Sequence, residues 1–173
     1  STNSSGSETT DSYGVTAFGT DGFTVGSTSG YNNNSENFVS WNWKAGGSGS
    51  ANTDGNINST VSVNTTAGFS IVTYTTSSSG TDTVGHGLGV KPDVLITKAR
   101  NQTYNWDILH HGVNDNGTGR FTFTTSPYIT GSNPYANTTP TASVFSFNAG
   151  FYGASNNVTY CFAEKKGFSK FGT

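Results

Sequence analysis

Between Thr83 and Arg100 the chain reads TVGHGLGVKPDVLITKAR, and no other stretch limits its fold so tightly. Gly85, Gly87 and Gly89 tolerate positive φ and close backbone approach, while Pro92 fixes its own φ and holds Lys91 extended. Val94 to Ile96 is the densest aliphatic run in the chain. The pattern predicts a strand, a tight corner, then a buried strand beginning at Asp93, and it places the core there. His86 stands inside the corner. Its ring is expected to bond backbone and fix the turn rather than bind a metal or act as a base.

The rest of the composition points the same way. Hydrophobic residues make up 31% and charged residues 10%, with Gly, Ser, Thr and Asn filling the difference. A net charge of −2 is too small for a disordered polyelectrolyte, and aromatics at 13% favour strands as Gly and Asn favour turns. The chain is expected to be all-β. Its eight basic residues are scattered, which argues against nucleic acid, and no run of 18 apolar residues offers a membrane span. Methionine is absent, so Ser1 is read as the start of a processed product or fragment. The single Cys161 cannot form an internal disulfide, and its alternating strand context predicts a buried, inert thiol.

Taken in order, residues 1–12 read as a flexible or partner-ordered arm. Tyr13 to Phe18 and Phe23 to Val25 are expected strands joined by the Gly19-Thr-Asp-Gly22 turn. Asn37 to Ala45 alternates, with Val39, Trp41 and Trp43 on one face, and predicts another strand whose tryptophans fill the core. Residues 45–56 read as a Gly/Ser/Asn linker. Residues 57–173 then hold a complete strand-rich module, including expected strands at Tyr104 to His110, Arg120 to Thr124, Val144 to Phe147, Val158 to Phe162 and Phe168 to Phe171. Residues 126–140 read as a long loop.

One internal echo organises these pieces. Val39-Ser-Trp41-Asn-Trp43 matches Val158-Thr-Tyr160-Cys-Phe162, and Gly22-Phe23 matches Gly150-Phe151. Residues 13–44 are therefore expected to be the closing part of a preceding repeat unit.

AGFSIVTYT (Ala67 to Thr75), TVGHGLGVKPDVLITKAR, the Trp106 to His110 strand and VTYCFAEKKGFSKFG (Val158 to Gly172) together carry a resemblance. On these phrases the sequence resembles a repeat of tail-fibre-like and other virion-associated proteins of marine bacteriophages. The resemblance implies a β-sandwich-like module in a virion appendage or surface protein, and it brings no catalytic residue set. In the first copy Asn42 stands where Cys161 stands in the second.

Candidate chemistry is sparse. His110 and His111 follow one another at a strand end, where neighbouring side chains are expected on opposite faces. Asn114-Asp115-Asn116-Gly117 is rich in oxygen, but it lacks the spacing and bidentate Glu of a calcium loop and predicts a plain turn. Asp93 and Asp107 are the acids placed in structured stretches, yet nothing pairs them as a glycosidase would require. No metal site and no cofactor are expected. Exposed rings among Asn and Thr suit sugars, and the loop residues Tyr128 and Tyr135 are the expected glycan contacts.

The expectation is an all-β, antiparallel β-sandwich of jelly-roll type. Its function is expected to be structural and adhesive, outside the cell on a virion, touching host-surface glycan and assembling with its own kind or other virion proteins. A purely architectural, self-assembling subunit is the alternative, and a polysaccharide-cleaving enzyme the second.

Overall fold

The computed structural model describes residues 4–114, 116, 118–131 and 133–172. The chain divides into two units, Glu8–Trp43 and Ser1–Ser7 with Lys44–Thr173.

The smaller unit holds a hairpin of β1 (Val15–Phe18) and β2 (Phe23–Val25), then one helical turn, α1 (Ser29–Asn32). The Gly19 N–H donates to the Gly22 carbonyl at 2.7 Å, closing the turn that those residues predict. The strand expected at Asn37 to Ala45 is absent. Residues 37–46 are irregular, and Val39 and Trp41 are 73% and 64% exposed rather than in a core; Trp43 is exposed as well. Alternation makes a segment extended, but a strand also needs a paired neighbour, and among the described residues no strand pairing includes this segment.

The larger unit contains β3 (Ser50–Asn52), β4 (Ser59–Asn64), β5 (Phe69–Thr75), β6 (Thr81–Gly85) and β7 (Val94–Ala99). After these come β8 (Asp107–His110), the turn α2 (His111–Asn114), β9 (Gly119–Thr122) and β10 (Ile129–Thr130). β11 (Val144–Asn148), the turn α3 (Ala149–Tyr152) and β12 (Asn156–Phe162) complete it. Eight strands form one sheet in the order β10-β9-β8-β7-β12-β5-β4-β3, and β11 pairs with β6 in a second. Every strand pair is antiparallel. The module is an antiparallel β-sandwich with unequal layers.

The core lies between the layers. Val72, Leu95, Leu109 and Cys161 from the large sheet meet Val84, Phe145 and Phe147 from the small one, all at 0–1% exposure. Burial pushes the Cys161 thiol up to about 12. We expect a thiol reagent to leave native protein unlabelled at pH 8 and to label one site per chain in denaturant. Rapid labelling without denaturant would contradict that burial.

The stretch from Thr83 to Arg100 is where the chain changes layers, from β6 in the small sheet to β7 in the large one. Gly87 and Gly89 both take φ of 71°, a region that disfavours side chains, and Pro92 is buried. From Asp93 the backbone joins the sheet, its N–H donating to the Phe162 carbonyl at 2.7 Å.

Residues 45–56 are not a free linker. Ser50–Asn52 pairs with β4 as an edge strand, Ser62 Oγ donates to the Gly47 carbonyl at 2.6 Å, and Asn64 Nδ2 donates to the Lys44 carbonyl at 3.1 Å. A Cβ on Gly46 would stand 2.0 Å from the Val63 carbonyl oxygen, so glycine here permits contact rather than slack. The expected strand at Phe168 to Phe171 is also missing; a single bridge joins Lys165 to Ser169. The echo between residues 39–43 and 158–162 does not extend to structure either. The second copy is a central strand flanked by β5 and β7, the first is irregular, and Gly150-Phe151 sits in α3 while Phe23 begins β2.

Candidate functional site

Three places concentrate polar chemistry. The first is a chain of hydrogen bonds through the core. Tyr74 Oη and Thr97 Oγ1 lie 3.0 and 2.8 Å from Thr159 Oγ1. Tyr135 Oη donates to the Asp107 carbonyl at 2.8 Å and lies 3.2 Å from Thr97 Oγ1. Tyr152 donates to Asp107 Oδ2, and Arg120 Nε stands 2.6 Å from Oδ1. That last contact is a buried ion pair. The Arg120 guanidinium also lies over the Phe151 ring, 4.8 Å from its centroid. β8 and β9 bring the pair together, since Asp107 sits opposite Thr122 on the inner face and Arg120 precedes it by two. Burial raises the Asp107 pKa, against the Tyr152 hydrogen bond and the Arg120 charge, which lower it. Burial likewise lifts the Tyr135 and Tyr152 phenols far above their ordinary range. These groups tie the Tyr135 loop and the α3 turn to the inner face of the large sheet.

Tyr135 is accordingly not a glycan contact. It is 1% exposed, and its loop drops the ring between the sheets, edge-on to Phe147 at 6.1 Å. Tyr128 is half-buried against Phe121, with ring centroids 5.0 Å apart.

The second place holds the histidines. His86 is wholly buried. Its Nδ1 accepts from the Leu88 N–H at 3.2 Å, which puts the ring proton on Nε2, and Nε2 donates to the Thr141 carbonyl at 3.2 Å. Gly85 and Gly87 are its neighbours in the chain, and Gly87 takes a φ of 71°. His110 and His111 do not diverge: the chain enters α2 between them, and their rings stack with centroids 5.7 Å apart. His111 Nδ1 lies 3.7 Å from Asp93 Oδ1, and its Nε2 lies 3.1 Å from the Phe171 carbonyl. The other Asp93 oxygen accepts from the Glu164 N–H at 2.6 Å. Among the described residues no three His, Cys, Asp or Glu side chains converge as a metal-binding group, and no helix is long and apolar enough to cross a membrane. Of the Asn114 to Gly117 stretch, Asp115 and Gly117 lie outside the described residues; Asn116 Oδ1 accepts from the Thr118 N–H at 3.2 Å.

The third place is the outer face of the large sheet, where the strand registers set up a gradient. Ile71, Tyr160, Ile96, Ile108 and Phe121 form one row across five strands. Trp106, just before β8, lies nearly parallel to Tyr160 at 6.3 Å between centroids, and Phe69 continues the series at 6.4 Å from Tyr160. Both Trp106 and Tyr160 are half-buried, and the indole N–H of Trp106 is buried without an acceptor among the described residues. Ala45, Ala67 and Phe171 cover the Phe69, Val94 and Phe162 end. Toward the other end the rows turn polar: Thr60, Thr73 and Val158 align with Lys98, and Thr75 aligns with Asn156. An open cleft of about 590 Å³ lies there, lined by Asn58, Thr60, Thr73, Thr75, Arg100 and Asn156 among others. Thr75 Oγ1 donates to Asn156 Oδ1 at 3.0 Å and fixes the amide.

Sequence reading missed this face. Trp106 and Tyr160 stand in alternating stretches, and alternation cannot say which of two strand faces is inside. The threonine rows depend on pairing between strands far apart in the chain.

A family model described as "Domain of unknown function (DUF7483)" matches residues 1–173. No curated protein and no solved structure matches the chain.

Proposed function

The chain belongs to the DUF7483 family, and from that premise we propose that it is a structural and adhesive module, non-enzymatic, of a virion appendage or surface protein that holds host-surface glycan on the outer face of its large sheet. The virion setting rests on the resemblance of the Thr83 to Arg100 and Val158 to Gly172 phrases to phage tail-fibre-like repeats. The adhesive role rests on one observation: the Trp106 and Tyr160 rings share a sheet face with a cleft of threonine hydroxyls and asparagine amides. Ring faces pack on the C–H faces of sugars, while fixed amides and hydroxyls bond their hydroxyl groups.

Binding to immobilised polysaccharides measures this directly. Trp106→Ala removes the ring, and Thr73→Phe fills the cleft without touching the core. Each is expected to weaken binding by about tenfold or more, the worth of a lost stacking contact. If unsubstituted protein binds no glycan, the adhesive reading fails.

A second reading has its own support. The smaller unit exposes Tyr13, Phe18, Phe38, Val39 and Trp41, with Phe18 at 85%. Such a concentration of apolar surface favours an architectural subunit that assembles with its own kind. Sedimentation that finds oligomers in a protein without glycan binding would favour that reading.

A further inference from the structure

We propose that a polar hollow at the end of the small sheet binds one unit of a neutral sugar, whose oxygens sit on the side-chain amides of Asn137 and Asn148. The hollow measures about 360 Å³ and opens to solvent between the start of β6, the end of β11 and the Tyr135 loop. Asn133, Asn137 and Asn148 supply its amides, Thr81 a hydroxyl and Ala136 a methyl group. Among the described residues no charged or aromatic side chain lines it. It shares no lining residue with the cleft on the outer face of the large sheet, so it stands apart from the binding proposed there.

A backbone N–H can only donate, so it settles which end of an amide is oxygen. The Tyr135 N–H donates to Asn133 Oδ1 at 2.6 Å, and Asn133 Nδ2 donates onward to Asn137 Oδ1. Asn137 Nδ2 is then left without a partner among the described residues. The Gly150 N–H donates to Asn148 Oδ1 at 3.1 Å, which leaves Asn148 Nδ2 in the same state. The hollow therefore holds a surplus of donors. They are also fixed in place. The Asn148 N–H donates to the Pro134 carbonyl at 2.6 Å, the Ala149 N–H to the Gly80 carbonyl at 2.9 Å, and Tyr135 anchors the loop in the core. That loop keeps Ala136 and Asn137 at φ of 53° and 52°. Two successive side chains in the left-handed region store strain of a kind that gathers at ligand sites.

These walls select their ligand. An apolar molecule finds little to bury against, an anion finds no cation, and a metal ion finds amide oxygens already occupied by N–H donors. A compact, uncharged molecule rich in oxygen acceptors fits, and a pyranose is one.

Nitrogen-15 NMR of the whole chain tests this, following side-chain amide and indole signals as glucose, galactose, glucuronate or glycerol is added. At least one neutral hexose is expected to bind at millimolar concentration and to move the Asn137 and Asn148 side-chain signals. Glucuronate should bind no more tightly, and glycerol about tenfold more weakly. Asn137→Gly, which accepts φ of 52° freely, should weaken hexose binding about three- to tenfold, the worth of one hydrogen bond. Thr81→Phe should fill the hollow and abolish it; should that variant unfold, Asn137→Gly decides alone. Tighter binding of glucuronate, equal binding of glycerol, or hexose affinity unchanged in Asn137→Gly overturns the proposal. Movement of the Trp106 indole signal without the two asparagines also overturns it, and leaves the outer-face glycan reading standing. If no signal moves with any probe, the hollow is no sugar site, and the polysaccharide measurement judges the outer face separately.

Discussion

Arg120→Met is expected to destabilise the larger unit by about 3–5 kcal/mol, because it leaves the Asp107 carboxylate buried without its cation. Asp107 is 2% exposed, and the Arg120 side chain only 12%, so solvent cannot replace the lost charge. The pair does not stabilise the fold outright. Burial raises the Asp107 pKa in spite of Arg120 and Tyr152, so at neutral pH the folded state holds a charge it would shed more readily than the unfolded chain does. For a carboxyl raised in the folded state, the favourable contribution is complete below the unfolded value of about 3.9 and is lost as pH rises through the folded value. Arg120 and Tyr152 limit that loss. The penalty of Arg120→Met should accordingly shrink on acidification, as Asp107 takes up a proton. The double change Asp107→Asn with Arg120→Met should recover most of the stability, since neither charge is then buried alone. Urea unfolding with an unchanged slope checks all three statements. A loss below about 1 kcal/mol for Arg120→Met would mean that water screens the pair as it does on a surface.

That cluster also shows how far the sequence could be read. Asp107 was noticeable beside Trp106, but its partners Arg120, Tyr152 and Tyr135 come from β9, α3 and a loop, and no local pattern connects them. The corner was legible because Gly87, Gly89 and Pro92 encode backbone conformation directly, with no partner needed. The alternation of β5 and β12 identified strands for the same local reason. Residues 45–56 misled because one composition serves two physical ends: glycine gives a chain freedom in solvent and lets it press close to Val63 here. Residues 37–43 misled in the opposite sense, since their period-2 pattern states extension and is silent on pairing. Tyr135 shows the limit for sites. A tyrosine in a polar loop can face a ligand or plug a core, and only the sheet beneath decides. The outer face of Thr73, Tyr160, Arg100 and Trp106 emerges from registers between distant strands, so it was not legible at all.

Acid should loosen this protein through His86 in particular. The ring is wholly buried, with Nδ1 accepting from the Leu88 N–H and Nε2 donating to the Thr141 carbonyl. A proton added at Nδ1 would turn that acceptor into a donor facing another donor, and would place a charge in the core. Burial therefore lowers the His86 pKa, opposed by the Thr141 carbonyl and the more distant Asp54. The unfolded chain takes the proton near pH 6.5 while the folded chain resists it. The stabilising contribution is complete above about pH 6.5 and declines as pH falls from there toward the folded value, by at most about 1.4 kcal/mol per pH unit. Asp107 titrates with the opposite sign, so the total curve will not isolate the histidine. A comparison with His86→Leu will. That change leaves the Leu88 N–H and the Thr141 carbonyl without the ring, and should cost about 2–6 kcal/mol near pH 7.5, the sum of two buried groups unmet. Between pH 7 and pH 5 the stability gap between the two proteins should then narrow. A gap that stays constant across that range would show that His86 keeps its ordinary pKa, and that the corner from Gly85 to Gly89 does not depend on a neutral ring.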